Sequence, residues 1–548
     1  MYASRTRNPK PETRNCLSCP VAALVALYAA ARLWRLTGPC LWFDEVFGVH
    51  AARHAWGGLW RFVAADLIHP PLFYALLKLW AEAGGESLLW LRLFPFVTSL
   101  GCVVPFLLLA RELRLTGADA RLALLLAATN GFLIKYAQEV RMYSLLLLLT
   151  LTSLWLFARY LNRSAKGNLI ALFVFNLLLV YTHYYGWLVV ACEAAFLILF
   201  RRRRLAPFAL TVVVLVACFA PWAWACAEAA GEGGGLAQNI GWVGRPGPAQ
   251  VAQLFALLHE PFYFRRSSAE PTASLAGSLA GLLLVALPVA LLLVRTRTGT
   301  RDEAGRRGRD DEETRRAGDD DDEPRGGAEG RVGAIGFLTF FSLAPVALAF
   351  AASLLLPYSV WGTRHLIVVA GPYLLLAGAA LARLRPAWTK AAALVLLACW
   401  LVLAGAAAAL RREGVYVWCA WEGLAASLAR DERGGSRPAN VYAFEDLVAY
   451  HLWFALGDEE RFRVAVVRGL PGVAEDPAYF LPRRFEGVSV VDPGALGGDS
   501  FWLAFRAASL DETRPPLHTL KGRGYRVERV YEAPAQGQRA FLVRVSLK

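Results

Sequence analysis

Apolar residues in this chain come in runs of about 14 to 25, the length a helix needs to cross a bilayer, separated by short polar or basic stretches. Runs of this kind cover Leu17–Leu36, Leu88–Ala110, Leu122–Tyr136, Ser144–Phe157, Leu169–Tyr181, Trp187–Phe200, Pro207–Cys226, a stretch ending at Val294, Val332–Leu356, Leu366–Leu381 and Ala387–Leu410. That predicts about eleven membrane-spanning helices. The run His69–Trp80 has only about a dozen apolar positions and is expected to lie in the interface rather than to span.

Charge orients the spans. With His69–Trp80 in the interface, Arg111 and Arg114, Arg159 and Arg163, Arg201–Arg204, Arg295 and Arg297, and Arg383 and Arg385 all fall on the side of the basic N-terminus. By the positive-inside rule that side is cytoplasmic. Counting the short run as a span would put the four-arginine block outside.

Residues 299–331, mixed in charge and rich in Gly, read as a disordered cytoplasmic loop, with Asp319–Glu323 a solvated linker. From about Arg411 the period changes. Asn440–Phe444, Val464–Val467, Val488–Val491 and Phe501–Phe505 read as strands and Glu445–Leu456 as a helix. The expected architecture is therefore a polytopic all-α membrane domain over 1–410 followed by a small extracytoplasmic α/β domain over 411–548.

Composition agrees. Of the 548 residues 56 % are hydrophobic and 19 % charged, which excludes disordered, collagen-like and coiled-coil classes. The net charge of +14 reports topology rather than a nucleic-acid partner. The nine cysteines give no disulfide framework or zinc spacing, and the lone Cys16-x-x-Cys19 has no second pair. No P-loop or dinucleotide fingerprint, no GxSxG and no HExxH occurs.

The topology gathers ionisable residues on the outer face: Asp44 and Glu45, His69, Gln138, Glu139 and Arg141, His183 and Tyr184, Arg364 and His365. Such groups at span ends are costly unless functional or paired. Paired carboxylates suit general-base work, and arginine forks match a phosphate leaving group. A transporter or lipid flippase is the alternative, but its polar sites usually lie at the midplane between two similar halves.

The series Leu41-Trp42-Phe43-Asp44-Glu45, His69-Pro70-Pro71-Leu72-Phe73-Tyr74, Glu139-Val140-Arg141-Met142-Tyr143-Ser144 and Tyr181-Thr182-His183-Tyr184-Tyr185-Gly186 resembles the C-type membrane glycosyltransferases. Within them it is most similar to the protein mannosyltransferase/aminoarabinose transferase superfamily. The resemblance implies a multi-pass inner-membrane enzyme that moves a sugar, with inversion, from a polyprenyl-phosphate donor to a hydroxyl on a lipid, glycan or protein acceptor. It implies Asp44 as the proton-accepting carboxylate with Glu45 sharing or positioning that role. His69, Arg141, His183, Tyr184 and Arg364 would line the donor-phosphate site, and Glu139 and His69 would be the candidates for a divalent metal ion. Here His365 stands where relatives carry an aromatic residue after the arginine.

Overall fold

The computed structural model describes residues 19–163, 165–231, 241, 243–262, 272–296, 333–411, 419–433, 438–457, 460–473, 476 and 479–548 except 536. The basic N-terminus and the charged tract 299–331 lie outside the described residues.

Each of the eleven expected spans has a helical counterpart. Among the described residues seven are long and apolar enough to cross a membrane: Leu88–Glu112 (α5, Leu88–Gly101, continuing as α6, Val103–Glu112), Tyr143–Asn162 (α9), Arg202–Gly231, Leu275–Thr296, Ala334–Leu355, His365–Ala382 and Ala387–Leu410. Three shorter apolar helices, Cys19–Leu33 (α1), Lys166–Thr182 (α10) and Tyr185–Phe200 (α11), add to them. The run Leu122–Tyr136 is not one helix but two, α7 (Gly117–Thr129) and α8 (Gly131–Ala137). Asn130 makes the break: its extended backbone ends α7, and its side-chain oxygen accepts the Leu133 N–H at 2.9 Å to start α8.

Polar groups inside the bundle are paired. Ser153 donates to Glu193 at 2.6 Å, and Asn176 donates to the other oxygen of that carboxylate at 2.7 Å. At Gly378 a Cβ would stand 2.4 Å from the backbone nitrogen of Ala123, so only glycine lets His365–Ala382 pack this closely on α7.

Between the first span and Leu88 lie three short helices, α2 (Phe43–Arg53), α3 (Trp56–Asp66) and α4 (Leu72–Gly84). The His69–Trp80 run thus forms a 13-residue helix, too short to span, as its length requires. The segment before it, too polar to span, is helical as well.

The C-terminal region forms a six-stranded sheet in the order β3-β2-β1-β4-β6-β5. Strands β1 (Ala439–Ala443), β2 (Phe462–Val467), β3 (Ser489–Val491) and β4 (Ser500–Ala507) are parallel. Strands β5 (Tyr525–Ala535) and β6 (Gln538–Leu547) add an antiparallel hairpin that the strand reading above does not contain.

Alternation along β1 sends Val441 and Ala443 to one face, against Trp421, Leu424 and Leu428 of the helix Ala420–Asp431 and Val448 and Leu452 of the helix Asp446–Leu456. Tyr442 and Phe444 go to the other, with Leu517 and Leu520. The helix Asp446–Leu456 docks on α2: the Tyr450 ring lies 5.3 Å from that of Phe43, and Tyr450 Oη is 2.8 Å from His50 Nδ1.

A disulfide between Cys40 and Cys419 joins the loop before α2 to the start of this domain. Its partners are 379 positions apart, so sequence spacing gave no sign of it, and the expectation of no disulfide is corrected.

Candidate functional site

The residues singled out in the sequence sit at four chain turns: the start of α2, the turn between α3 and α4, the turn entering α9, and the turn between α10 and α11. The segment before His365–Ala382 completes the set. Each turn is fixed by backbone chemistry. At Gly186 an added Cβ would lie 2.7 Å from the Leu179 carbonyl carbon, so only glycine lets α11 begin so close to the end of α10 and hold His183 between them.

Asp44 and Glu45 are neighbours with opposite situations. Glu45 is fully buried. Its Oε1 accepts the Val140 N–H at 2.7 Å, and its Oε2 accepts the Trp42 N–H at 3.0 Å and Arg92 Nη2 at 3.4 Å. Burial raises its pKa, and the Arg92 charge opposes that shift. Both oxygens are occupied in tying the start of α2 to the turn entering α9, which leaves Glu45 without access to a substrate.

The Asp44 side chain keeps 23 % of its surface open. Its Oδ2 lies 3.5 Å from Arg364 Nη1 and 3.8 Å from Arg141 Nη2. Arg141, itself buried, also donates from Nη1 to the Asp44 carbonyl at 3.0 Å, and so fixes the loop as well as facing the carboxylate. The Arg364 guanidinium lies 5.8 Å from the Trp42 ring centroid.

Three histidines lie beside this ion group. The ring centroids of His69 and His183 are 5.3 Å apart and those of His183 and His365 are 4.7 Å apart. One nitrogen of each lies within 4.8 Å of the others. Burial, helped by the Arg141 charge, holds His69 well below the usual imidazole range and His183 at about 3, so both are neutral.

The spacing invites a metal ion, but the hydrogen bonds do not fit one. His183 Nδ1 accepts the Tyr185 N–H at 3.0 Å, so the neutral ring carries its proton on Nε2. That Nε2 is buried with no hydrogen-bond partner and is a donor, not a ligand atom. Arg141 Nη2 stands 3.5 Å from His69 Nε2, which places the acceptor there and the proton on the unpartnered, buried Nδ1. Two guanidiniums beside the cluster oppose a cation further. Glu139, the other metal candidate, is not in this group: it pairs with Lys135 at 2.8 Å.

Tyr184 also departs from the expected set. Its hydroxyl accepts from Trp222 Nε1 at 3.2 Å, so it packs toward the span Arg202–Gly231 rather than into the arginine and histidine cluster.

His365, placed in the sequence with the outer-face set but given no role there, completes the imidazole cluster. One residue absent from the sequence reading belongs here as well. Asp66, at the end of α3, places Oδ2 3.9 Å from His69 Nδ1, and burial together with the Asp44 charge pushes its carboxyl up to about 7, against the pull of Arg141. The position of Asp66 three residues before His69-Pro70-Pro71 was the available signal.

The same architecture occurs among solved structures. ArnT from Cupriavidus metallidurans in the apo state aligns with a TM-score of 0.52 at 14 % identity, over 96 % of this chain and 97 % of that one. The structure of the same enzyme bound to undecaprenyl phosphate aligns with a TM-score of 0.54, also at 14 % identity and over 96 % and 97 % of the two chains. At that identity the likeness establishes a shared fold. Neither a known protein family nor a curated protein sequence matches this chain.

Proposed function

We propose that this protein is an integral-membrane glycosyltransferase that moves a sugar from a polyprenyl-phosphate donor to an acceptor hydroxyl on the extracytoplasmic face. One observation carries the reading: a partly open carboxylate, Asp44, stands 3.5 Å and 3.8 Å from two guanidiniums, beside buried imidazoles whose N–H groups have no partner. That is a base next to an oxyanion cradle. The shared fold supports the choice of donor, since the ArnT neighbour binds undecaprenyl phosphate.

The reaction follows from the parts. The acceptor O–H loses its proton to an Asp44 oxygen as its oxygen attacks the anomeric carbon from the face opposite the phosphate. The bond from that carbon to the phosphate oxygen breaks, its electrons stay on the phosphate, and one displacement inverts the centre. Arg364 and Arg141, with the N–H groups of His183 and His69, receive the growing negative charge. Neutral imidazoles donate hydrogen bonds without adding charge that would hold the product lipid phosphate in place.

The Cys40–Cys419 disulfide supports an oxidising, extracytoplasmic location for this face and for the C-terminal domain. The basic clusters at the opposite span ends support a cytoplasmic location there. The localisation that goes with this reading is the inner membrane.

The test uses purified protein in nanodiscs with a radiolabelled undecaprenyl-phosphate sugar and cell-envelope extract as the source of acceptor hydroxyls. Release of undecaprenyl phosphate is expected, with Arg364→Ala raising the donor KM more than it lowers kcat. Failure to cleave any pentosyl or hexosyl lipid-phosphate donor in wild-type protein contradicts the proposal.

A further inference from the structure

A cavity lies away from the ion group, in the C-terminal domain. It is a crevice of about 550 Å³ walled by Phe444, Glu445, Asp476, Phe505, Arg506 and Arg514. Its place in the sheet is not arbitrary. Strand β1 pairs in parallel with β2 on one side and with β4 on the other, so the chain reverses its winding between β1 and β4. Phe444 and Glu445 follow the last residue of β1, and Phe505 to Ser509 end and follow β4, so the crevice opens at the carboxyl ends of both strands. In doubly wound sheets this switch point is where ligands bind.

The lining selects the ligand. Arg506 pairs with Glu445 and, at 2.8 Å, with Asp476; Arg514 pairs with Asp511 at 3.3 Å. Three carboxylates face two guanidiniums, leaving one net negative charge, which disfavours phosphorylated or acidic ligands. No Gly-rich turn follows β1, where Phe444-Glu445-Asp446 stands, so a nucleotide lacks its phosphate cradle. Paired carboxylate and guanidinium edges offer acceptors and donors side by side, the match for vicinal hydroxyls. Phe444 and Phe505 supply apolar faces for sugar C–H groups.

A ring contact connects this part of the domain with the reaction centre. The Tyr479 ring packs 5.1 Å from that of Phe43, the neighbour of Asp44. The Tyr479 hydroxyl is within reach of the charges of Asp44 and Arg364 and of those of Asp476 and Arg506. We propose that the crevice between the ends of β1 and β4 binds a neutral, polyhydroxylated glycan, the acceptor of the transfer, and presents it past Tyr479 to Asp44. The acceptor role rests on the glycosyltransferase reading above; the glycan site does not.

Saturation-transfer NMR on the full chain in nanodiscs tests this, with maltotriose and triacetylchitotriose as neutral probes and trigalacturonate as the acidic one. A neutral trisaccharide is expected to receive saturation and trigalacturonate is not. Ser509, exposed at the rim, allows Ser509→Trp to fill the opening without touching the core, and this variant is expected to lose at least nine-tenths of the signal and of transfer to a glycan acceptor, while binding the lipid donor as the wild type does. No saturation of either neutral trisaccharide, or a signal that survives Ser509→Trp, overturns the proposal. Glycan binding blocked by Ser509→Trp in a protein that never cleaves the donor upholds the glycan site and discards the transferase reading alone.

Discussion

Cys40 and Cys419 are joined across 379 positions of sequence, and the bond lies four residues before Asp44. It links the loop that carries the carboxylate to the domain that closes over it. Cys40→Ser is expected to lower stability by about 2–4 kcal/mol, to loosen the C-terminal domain, and to abolish the mobility difference between reduced and oxidised protein on denaturing gels. An unchanged gel mobility on reduction of wild-type protein counts against an oxidising location for this face.

Glu45 and Asp44 should separate cleanly. Glu45→Ala removes the acceptor of the Val140 and Trp42 N–H groups and the buried partner of Arg92. Loss on the order of 3 kcal/mol is expected, because a buried charge is left unpaired. The remaining activity should track the folded fraction measured by thermal unfolding, with KM for the donor unchanged.

Asp66 should set the acid limb of activity. Its carboxyl is pushed up to about 7, first by burial, so it holds a proton below that pH and releases it above. Transfer is expected to rise through pH 7, and in Asp66→Asn that inflection should disappear from the pH profile of kcat/KM. An identical profile in the variant removes Asp66 from the proton balance of the site.

The contact between α2 and the C-terminal domain should weaken in acid. Burial pushes both His50 and His451 down to about 3 from the ordinary 6.5. Below about pH 6.5 the unfolded chain takes protons that the folded chain refuses, so stability falls as pH drops from about 6.5 toward 3, by up to about 1.4 kcal/mol per pH unit for each histidine. Above pH 6.5 these two groups contribute no pH dependence. Thermal unfolding of wild type and His451→Phe between pH 7 and 5 checks this; the variant should show the shallower decline.

The spans were legible because a bilayer demands long apolar runs. Asn130 hid the break between α7 and α8, since a polar residue inside an apolar run is consistent with either a continuous or an interrupted helix. The site was legible as a set of ionisable residues at span ends, but not in its division of labour. Nothing in Asp44-Glu45 says which carboxylate is buried; that depends on Val140 and Arg92, which are distant in sequence. Tyr184 and His183 adjoin, yet the backbone changes from extended at His183 to helical at Tyr184, which turns the tyrosine to Trp222 and the histidine to the cluster. The hairpin of β5 and β6 escaped because its pattern is interrupted: a register shift between Val527 and Arg529 breaks the alternation of β5, and Ala540–Val543 in β6 is a continuous apolar run.

The central claim is that Asp44 accepts the proton of the acceptor hydroxyl. The direct measurement is single-turnover transfer from a lipid-phosphate sugar by Asp44→Asn, beside its thermal unfolding curve. The account predicts a loss of at least about 100-fold in the transfer rate, with Tm near that of the wild type and donor binding retained. Transfer by Asp44→Asn at the wild-type rate would contradict it.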